Sequence, residues 1–445
     1  MLLKRLPSTP LTYTFRRTFH KNSVLAFRKD DREFEHPLTR TVRILMNDLK
    51  TGFTQISKGQ IPHPVVGFPQ FTDVLIVGGG AIGSSIAYWL KEKSNPDSFH
   101  VAVIEQDPTY AKCATTLSVG GLRQQFSLPE NINLSLFGAE FIRSLKKRFG
   151  PEADISFTPH GYLVLASEEG AEQLIENSKL QNELGAINVI LPKHNIKDRF
   201  PWLNVDDVEV GCLGLEKEGW FDPWSLLQLL KTGAEKKNAQ YIHGEVVEFL
   251  FQERDDIIIK GREEGSFLQH PIAAVIKMPD GEIKTINFAI CIIAAGPQSG
   301  QIAQKLDIGV GEGLLSVPLP VEPRKRYVYV VECEKDPPGL NTPMTIDHTG
   351  AYFRRDGLGG KFICGISPEI GDEPDVSNLD VNYEYFDKRL WPILAQRVPA
   401  FNALKVKGAW SGFYDFNKFD ENGIVGPHPL FTNVYIATGF SGHGT

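Results

Sequence analysis

Apolar residues in this chain fall into short runs separated by amphipathic stretches. The runs Val74-Leu75-Ile76-Val77 and Val101-Ala102-Val103-Ile104 predict strands. So do Gly161–Ala166, Tyr241–Phe249, Ile257–Ile259, Ala289–Ala295, Tyr327–Glu332, Gly360–Cys364 and Val434–Ala437. Helical spacing of apolar positions marks Ser84–Lys93, Ser135–Arg148, Ala171–Leu184, Pro223–Lys237 and Tyr383–Ala395. Asp222 followed by Pro223 predicts an N-cap with proline in the first turn, and Leu226, Leu227, Leu229 and Leu230 form a core stripe. From Phe71 onward the two kinds of signal alternate without a long polar gap. Residues 30–70 carry mixed charge, then Pro62, Pro64, Gly67 and Pro69, and read as a linker or N-terminal segment.

The first strand runs into Gly78-Gly79-Gly80-Ala81-Ile82-Gly83, a helix follows, and the second strand ends in Glu105. Strand, glycine turn, helix, strand and acid stand in the order that a dinucleotide site requires. Gly78 permits the tight turn, Gly80 lets backbone approach a pyrophosphate, and Gly83 lets the helix sit close to the sheet. The helix start offers unpaired N–H groups and partial positive charge to phosphates. Glu105, 22 residues past Gly83, suits ribose hydroxyls and would repel a 2′-phosphate, which disfavours NADP. At this level the ligand is FAD or NAD.

Charge separates the N-terminus from the rest. Residues 1–29 hold Lys4, Arg5, Arg16, Arg17, Lys21, Arg28 and Lys29, six Ser and Thr, and no acid. This is the composition of a mitochondrial targeting sequence or of a basic arm. With those seven set aside, 40 of the 47 Lys and Arg remain against 54 Asp and Glu. A surface that acidic repels nucleic acid phosphates, so no nucleic acid partner is expected. No run approaches the length of a transmembrane helix. The five cysteines are widely spaced without CxxC, and the eleven histidines show no ligand spacing, so neither a disulfide framework nor a metal is expected.

Three apolar strands end in small-residue turns: Val77-Gly78-Gly79, Ile293-Ala294-Ala295-Gly296 and Ala437-Thr438-Gly439. In open α/β sheets ligands bind beyond the carboxyl ends of strands. Three such ends spread along the chain predict one discontinuous nucleotide domain with a second domain built from the intervening segments. A matching glycine-rich element at the far end, Gly439-Phe440-Ser441-Gly442-His443-Gly444, turns the choice toward FAD rather than NAD.

With these elements the sequence resembles the D-amino-acid-oxidase and sarcosine-oxidase superfamily of FAD-dependent oxidoreductases from Asp73 to Gly444. Gly350-Ala351-Tyr352-Phe353 and Trp410-Ser411-Gly412 add to the match. The resemblance implies an α/β fold: a discontinuous Rossmann-like FAD-binding domain of glutathione-reductase type (71–158, 219–310 and 405–445), interleaved with an α+β substrate domain having a mixed antiparallel sheet (159–218 and 311–404). Four further segments, Leu117–Gly121, Gln125–Asn131, Glu218–Trp224 and Pro320–Tyr329, resemble a mitochondrial branch associated with assembly of respiratory complex I. That branch implies a matrix location, peripheral to the inner membrane, with complex I subunits or assembly intermediates as partners.

The superfamily's pattern implies roles for matching positions. Gly439, Ser441, Gly442, His443 and Gly444 would line the isoalloxazine ring, with Gly120, Gly121 and Gly296 also on the cofactor. Arg123 would stabilise negative charge at the flavin or bind a substrate carboxylate; Lys325, with Arg326 beside it, and Tyr352, with Arg354 or Arg355, would face the substrate, a small amine or amino acid. A preorganised cation suits this site because a reduced flavin is anionic in a medium of low dielectric. As residues alone, Arg123 also fits a surface pair, Lys325-Arg326 a solvated strand face and Tyr352 core packing. Some relatives hold flavin through a cysteine directly after Gly-Gly; here Gly359-Gly360 is followed by Lys361, so FAD is expected to be noncovalent. In the superfamily a helix follows the last motif and points at the flavin. The sequence stops at Thr445, and weakened flavin retention is expected of it as written.

Overall fold

The computed structural model describes residues 67–254, 268–369 and 371–443. Phe68–Thr445 forms one compact unit, separate from Met1–Gly67. The basic N-terminal segment, residues 30–66, the candidate strand Ile257–Ile259 and Gly444 lie outside the described residues.

The first run becomes the central strand Phe71–Val77, parallel to Val101–Glu105 on one side and to Ile283–Ile293 on the other. Ala239–His243 extends the sheet beyond Val101–Glu105, and Val434–Thr438 extends it beyond Ile283–Ile293, both in parallel. Ile424–Pro427 closes that edge antiparallel, while Glu245–Arg254 and Leu268–Lys277 form an antiparallel extension. The carboxyl-terminal parts of the inner strands, Val74–Val77, Val101–Ile104 and 288–293, are apolar because both faces are covered there. The three small-residue ends thus lie on neighbouring strands: Ala294 N–H donates to Val77 O at 2.9 Å, and Thr438 Oγ1 donates to Gly296 O at 3.2 Å.

Two helices cover one face. Ala81–Glu92 starts at Gly80, and Pro223–Glu235 packs against it. Asp222 caps the latter, accepting from Trp224 N–H (3.1 Å) and Ser225 N–H (3.2 Å). Leu226, Leu227 and Leu230 are buried. The expected strand Tyr241–Phe249 is two strands that break at Gly244. The expected helix Ser135–Arg148 begins earlier, with Pro129 in its first turn, as Pro129–Arg143, and continues as Leu145–Phe149.

A second eight-stranded sheet runs in the order Lys405–Asn417, Val321–Glu332, Lys361–Gly365, Tyr352–Arg355, Met344–Ile346, Tyr162–Ala166, Val210–Gly214, Asn188–Pro192. One pair, Met344–Ile346 with Tyr162–Ala166, is parallel, and the rest are antiparallel. The expected boundary at residue 405 needs correction here. Lys405–Asn417 pairs along the whole of Val321–Glu332 and belongs to this sheet; only Ile424–Pro427 and Val434–Thr438 return to the first. Period-two patterning marks a strand without naming its partner.

One face of this sheet buries Leu163, Tyr327, Tyr329, Phe353, Phe362 and Cys364 against Phe386, Leu390, Leu394 and Phe401. At the margin of that core sits a charge cluster, buried at Arg397 and Asp347 and open to solvent at Asp207. Arg397, 3% exposed, donates to Asp347 Oδ2 at 2.5 Å and meets Asp207 Oδ1 at 2.8 Å, and His348 Nε2 lies 3.0 Å from Asp207. Burial pushes the Asp207 carboxyl up, but hydrogen bonds from Arg397 and His348 outweigh it and hold the group down at about 2. We expect Arg397→Met to destabilise the protein by about 3–5 kcal/mol in denaturant unfolding, because Asp347 is then left buried and unpaired. The Asp207 contribution is fully present above the ordinary carboxyl range and lost as pH falls from about 4 toward 2. An acid-unfolding curve in Arg397→Met should lose that component.

Candidate functional site

The glycine turn is shaped by contacts within the sheet. Gly78 has φ +101°, and a side chain there would run into the Ala294 carbonyl. One on Gly83 would run into the Gly78 carbonyl, so the helix starts flush with the sheet. Gly80 differs: a Cβ would sit 3.3 Å from Cys113 Sγ and 3.6 Å from Thr115 Oγ1, on the open side of the turn. Thr115 Oγ1 accepts from Ala81 N–H at 3.1 Å. Glu105 Oε2 accepts from Gly79 N–H at 2.8 Å and Oε1 from Asp107 N–H at 2.9 Å. Burial raises the Glu105 carboxyl above its usual range, with those N–H bonds opposing it. Ile82 packs into the core.

Whether this turn fits a dinucleotide can be tested on two features. The Tyr110 hydroxyl is buried without a hydrogen-bond partner, and it lies 3.1 Å from where a Gly79 Cβ would stand. Gly296, at the neighbouring strand end, has φ +51° and open space where a side chain would be. An orphaned polar group beside Gly79 and Glu105 and an empty margin at Gly296 fit an FAD laid across the strand ends. Gly120 and Gly121 are accounted for by protein contacts: the Phe221 carbonyl crowds the first and the Tyr162 hydroxyl the second.

The C-terminal turn is held by a residue that sequence reasoning missed. Asp415 Oδ2 accepts from Gly439 N–H (2.6 Å), Phe440 N–H (3.1 Å) and Thr438 Oγ1 (3.2 Å). Ser441, at φ +52°, donates its N–H to Asp415 O and accepts from Asn417 N–H through Oγ, both at 2.9 Å. Gly439 and Gly442 therefore lie against the second sheet, Gly442 beside the Tyr414 ring. A lone Asp within an aromatic strand gives no sequence signal for this role.

The face of the second sheet opposite its core carries the remaining candidates. Cross-strand register places Arg326 beside Gly412 and Val328 beside Trp410 on that face. Trp410 Nε1 donates to Leu117 O at 2.8 Å, and Arg354 Nε donates to Val119 O at 3.3 Å. Tyr162, Trp220 and Met344 pack together with Val119, Ile346 and Tyr352 around it. Arg354 lies 5.5 Å over the Trp220 ring, and its burial lowers its pKa. Tyr352 and Arg354 thus lie in one packed cluster beside Val119–Gly121. Arg355 alternates to the other face and binds the carbonyls of Leu358 and Gly359.

Lys325 requires correction. It alternates away from Arg326, is 3% exposed, donates to Asn378 Oδ1 at 3.2 Å, and lies over the Tyr327 ring on the core side. Arg326 takes the face next to Leu117 instead, donating to Glu373 at 2.7 Å and to Tyr414 Oη at 2.8 Å. A strand's period gives alternation but not which half looks inward.

Arg123 and His443, far apart in sequence, are brought together by Phe126. The Arg123 guanidinium lies 4.8 Å from the Phe126 ring centroid, and the His443 ring meets the same ring edge-on at 5.6 Å. Burial and the nearby Arg123 charge both lower the His443 pKa, so the ring is neutral at neutral pH. Behind Arg123 lies Glu218, 2% exposed, which sequence reasoning did not single out as a functional residue.

A chain from Drosophila melanogaster named "FAD-dependent oxidoreductase domain-containing protein 1 homolog" is 47% identical over 438 residues, covering 92% of this chain and 84% of that one. The Xenopus laevis "FAD-dependent oxidoreductase domain-containing protein 1" is 45% identical, covering 95% and 85%. Among solved structures, L-proline dehydrogenase from P. horikoshii shares the fold with a TM-score of 0.67 at 23% identity, over 85% of this chain and 90% of that one. The profile of the family described as "DAO: FAD dependent oxidoreductase" matches residues 73–445; the chain belongs to that family, and FAD is its cofactor.

Proposed function

We propose that this chain is a mitochondrial flavoprotein, on the matrix side of the inner membrane, that supports assembly or stability of respiratory complex I. Its flavin site is of the kind that oxidises a small secondary amine or amino acid. The observation that carries the chemical part is the cluster in which the buried Arg354 guanidinium lies over the Trp220 ring and donates to Val119 O, with Tyr162 and Tyr352 packed around it. Arg354 is desolvated and, among the described residues, has Asp356 at 3.8 Å as its ionic neighbour, so a substrate carboxylate there would gain a charge-assisted hydrogen bond. Tyr162 and Trp220 supply apolar walls that exclude water. The flavin, when bound, supplies the two-electron acceptor. Gly78–Gly83, Glu105, Gly296 and the turn from Gly439 to His443 would hold it, without a covalent bond. A named likeness, L-proline dehydrogenase, carries a secondary amine with a carboxylate in its name, which supports the substrate class.

The role in complex I rests on the resemblance of Leu117–Gly121, Gln125–Asn131, Glu218–Trp224 and Pro320–Tyr329 to the mitochondrial branch. Parts of all four meet around the same cluster: Val119, Gln125, Glu218, Trp220 and Arg326. The basic, acid-free first 29 residues support import. An oxidase of free amines without any role in assembly is the alternative reading, favoured by the desolvated Arg354.

Four outcomes are expected. Purified protein should be yellow, and acid precipitation should leave the colour in the supernatant; colour in the pellet would mean a covalent bond. Gly80→Ala, tolerated by a backbone at φ −63°, should keep the melting temperature of the apoprotein yet weaken FAD binding by about tenfold or more, measured by flavin fluorescence. In cells lacking the protein, complex I should fail to assemble on native gels, and wild type should restore it. Recovery with Gly80→Ala would make the flavin dispensable for assembly. Arg354→Met should raise the concentration of N-methylglycine or L-proline needed for anaerobic flavin bleaching by roughly 10–100-fold. Absence of bleaching with every such amine in wild type would remove the amine reading.

A further inference from the structure

Glu218 sits at the crossing of three elements: the short ladder Gly121–Leu122 with Gly219–Trp220, the strand Val210–Gly214, and the segment that carries Arg123. Its Oε1 accepts from Gln124 N–H at 2.7 Å, and its Oε2 from Gln125 Nε2 at 3.0 Å. Gln125 Nε2 also reaches Tyr162 O at 3.2 Å, so one amide ties the carboxylate to the strand that carries Tyr162. A side chain on Gly214 would occupy the place of the Glu218 carboxyl, so the fold reserves that position for it.

The polar groups around it are incompletely satisfied. Gln124 Oε1 and Gln125 Oε1 are buried and lack donors. A protonated carboxyl could donate to Gln125 Oε1 after an amide flip, at the cost of the Gln125–Tyr162 bond, so two hydrogen-bond arrangements are available to one set of side chains. A proton can reach the site, because a cleft of about 210 Å³ lined by Leu122, Ile142, Phe157, Lys217 and Glu218 opens beside it. Facing Glu218 are Arg123 from its own neighbouring segment and Tyr162 and Cys212 from the second sheet. The Lys217 ammonium is turned outward to Glu140 at 3.0 Å, and Glu216 and Arg143 line the outer cleft.

We infer that Glu218 is a positioning residue: through Gln124 and Gln125 its carboxylate latches the segment that sets Arg123 and Phe126 against His443. Burial pushes its pKa up to about 7, against the bonds from Gln125 and Gln124 and the Arg123 charge, so the latch is closed above neutrality and opens below it. The sign follows from the raised value. The folded protein holds this proton more tightly than the unfolded chain, so ionising Glu218 lowers stability as pH climbs from the ordinary carboxyl range to about 7. The latched state is therefore kept at some expense to the fold, which a purely structural carboxylate would not require. The link to the flavin side rests on Arg123 acting there, as in the reading above.

Amide hydrogen exchange of the holoprotein reads the latch directly, because Gln124 N–H is bonded to the carboxylate. After correction for intrinsic rates, protection of residues 121–126 should fall by about tenfold or more as pH drops through about 7, while the central strand Phe71–Val77 keeps its protection. Glu218→Gln should show no step. Gln125→Leu, which keeps the carboxylate, should lower the protected plateau above neutrality. The visible band of bound FAD, followed over the same range, should step with the same midpoint in wild type and not in Glu218→Gln. Exchange that is independent of pH in wild type, or a step that persists in Glu218→Gln, overturns the inference. A step in exchange without one in the flavin band upholds the latch and removes Arg123 from the flavin side.

Discussion

The backbone of Gly78 lies against the carbonyl of Ala294, and much of the site's geometry follows from that contact. Two strands more than 200 residues apart in sequence can be neighbours in a parallel sheet only if their ends clear one another, and a side chain at Gly78 would prevent it. The same turn presses Gly83 onto the Gly78 carbonyl, which fixes where the Ala81–Glu92 helix starts. The helix start thereby borders the strand ends, where the positive end of its dipole suits phosphate oxygens. Adding Val434–Thr438 to the other side of Ile283–Ile293 brings the last motif of the chain to the same edge.

A second constraint attaches the two sheets to each other. Trp410 and Arg354 reach from the second sheet to the carbonyls of Leu117 and Val119, and Asp415 grips the turn from Thr438 to Phe440. Each bond joins a side chain of one sheet to the backbone of the segment or turn it positions, so the joint is set by main-chain geometry. Surface ion pairs contribute little to such a joint, whereas buried hydrogen bonds to backbone are costly to leave unmade. The joint is consequently defined by positions whose backbone could be foreseen more readily than their side chains.

That difference explains what was legible in the sequence. The glycine turn, the acid after the second strand, the Asp222 cap and the three small strand ends are local backbone requirements, and each leaves a residue signature. Pairing and facing are not local. Lys405–Asn417 reads as a strand wherever it docks, and nothing in its pattern assigns it to the second sheet. Lys325 and Arg326 are adjacent cations on one strand, and only the register with Gly412 and Trp410 shows that Arg326 faces the Leu117 segment. Asp415 and Glu218 act through backbone and amide donors brought in by distant segments, so their neighbours in sequence say nothing of them.

The two buried charge clusters show how differently a fold can treat the same problem. Arg397 is matched by two carboxylates, and its partner Asp207 is held well below its ordinary range, so that cluster favours the folded state. Glu218 has only N–H donors in contact and the more distant Arg123, and its pKa lies above the ordinary range. A carboxylate in that position weakens the fold when ionised, yet the Gly214 backbone leaves space that only its side chain fills. Strain of that sign is tolerated where geometry at a site matters more than stability. The Arg397 cluster lies at the margin of the second sheet's core, and Glu218 lies directly before the strand Gly219–Trp220 that pairs with Gly121–Leu122. Stability is thus gained away from the flavin edge and given up next to it.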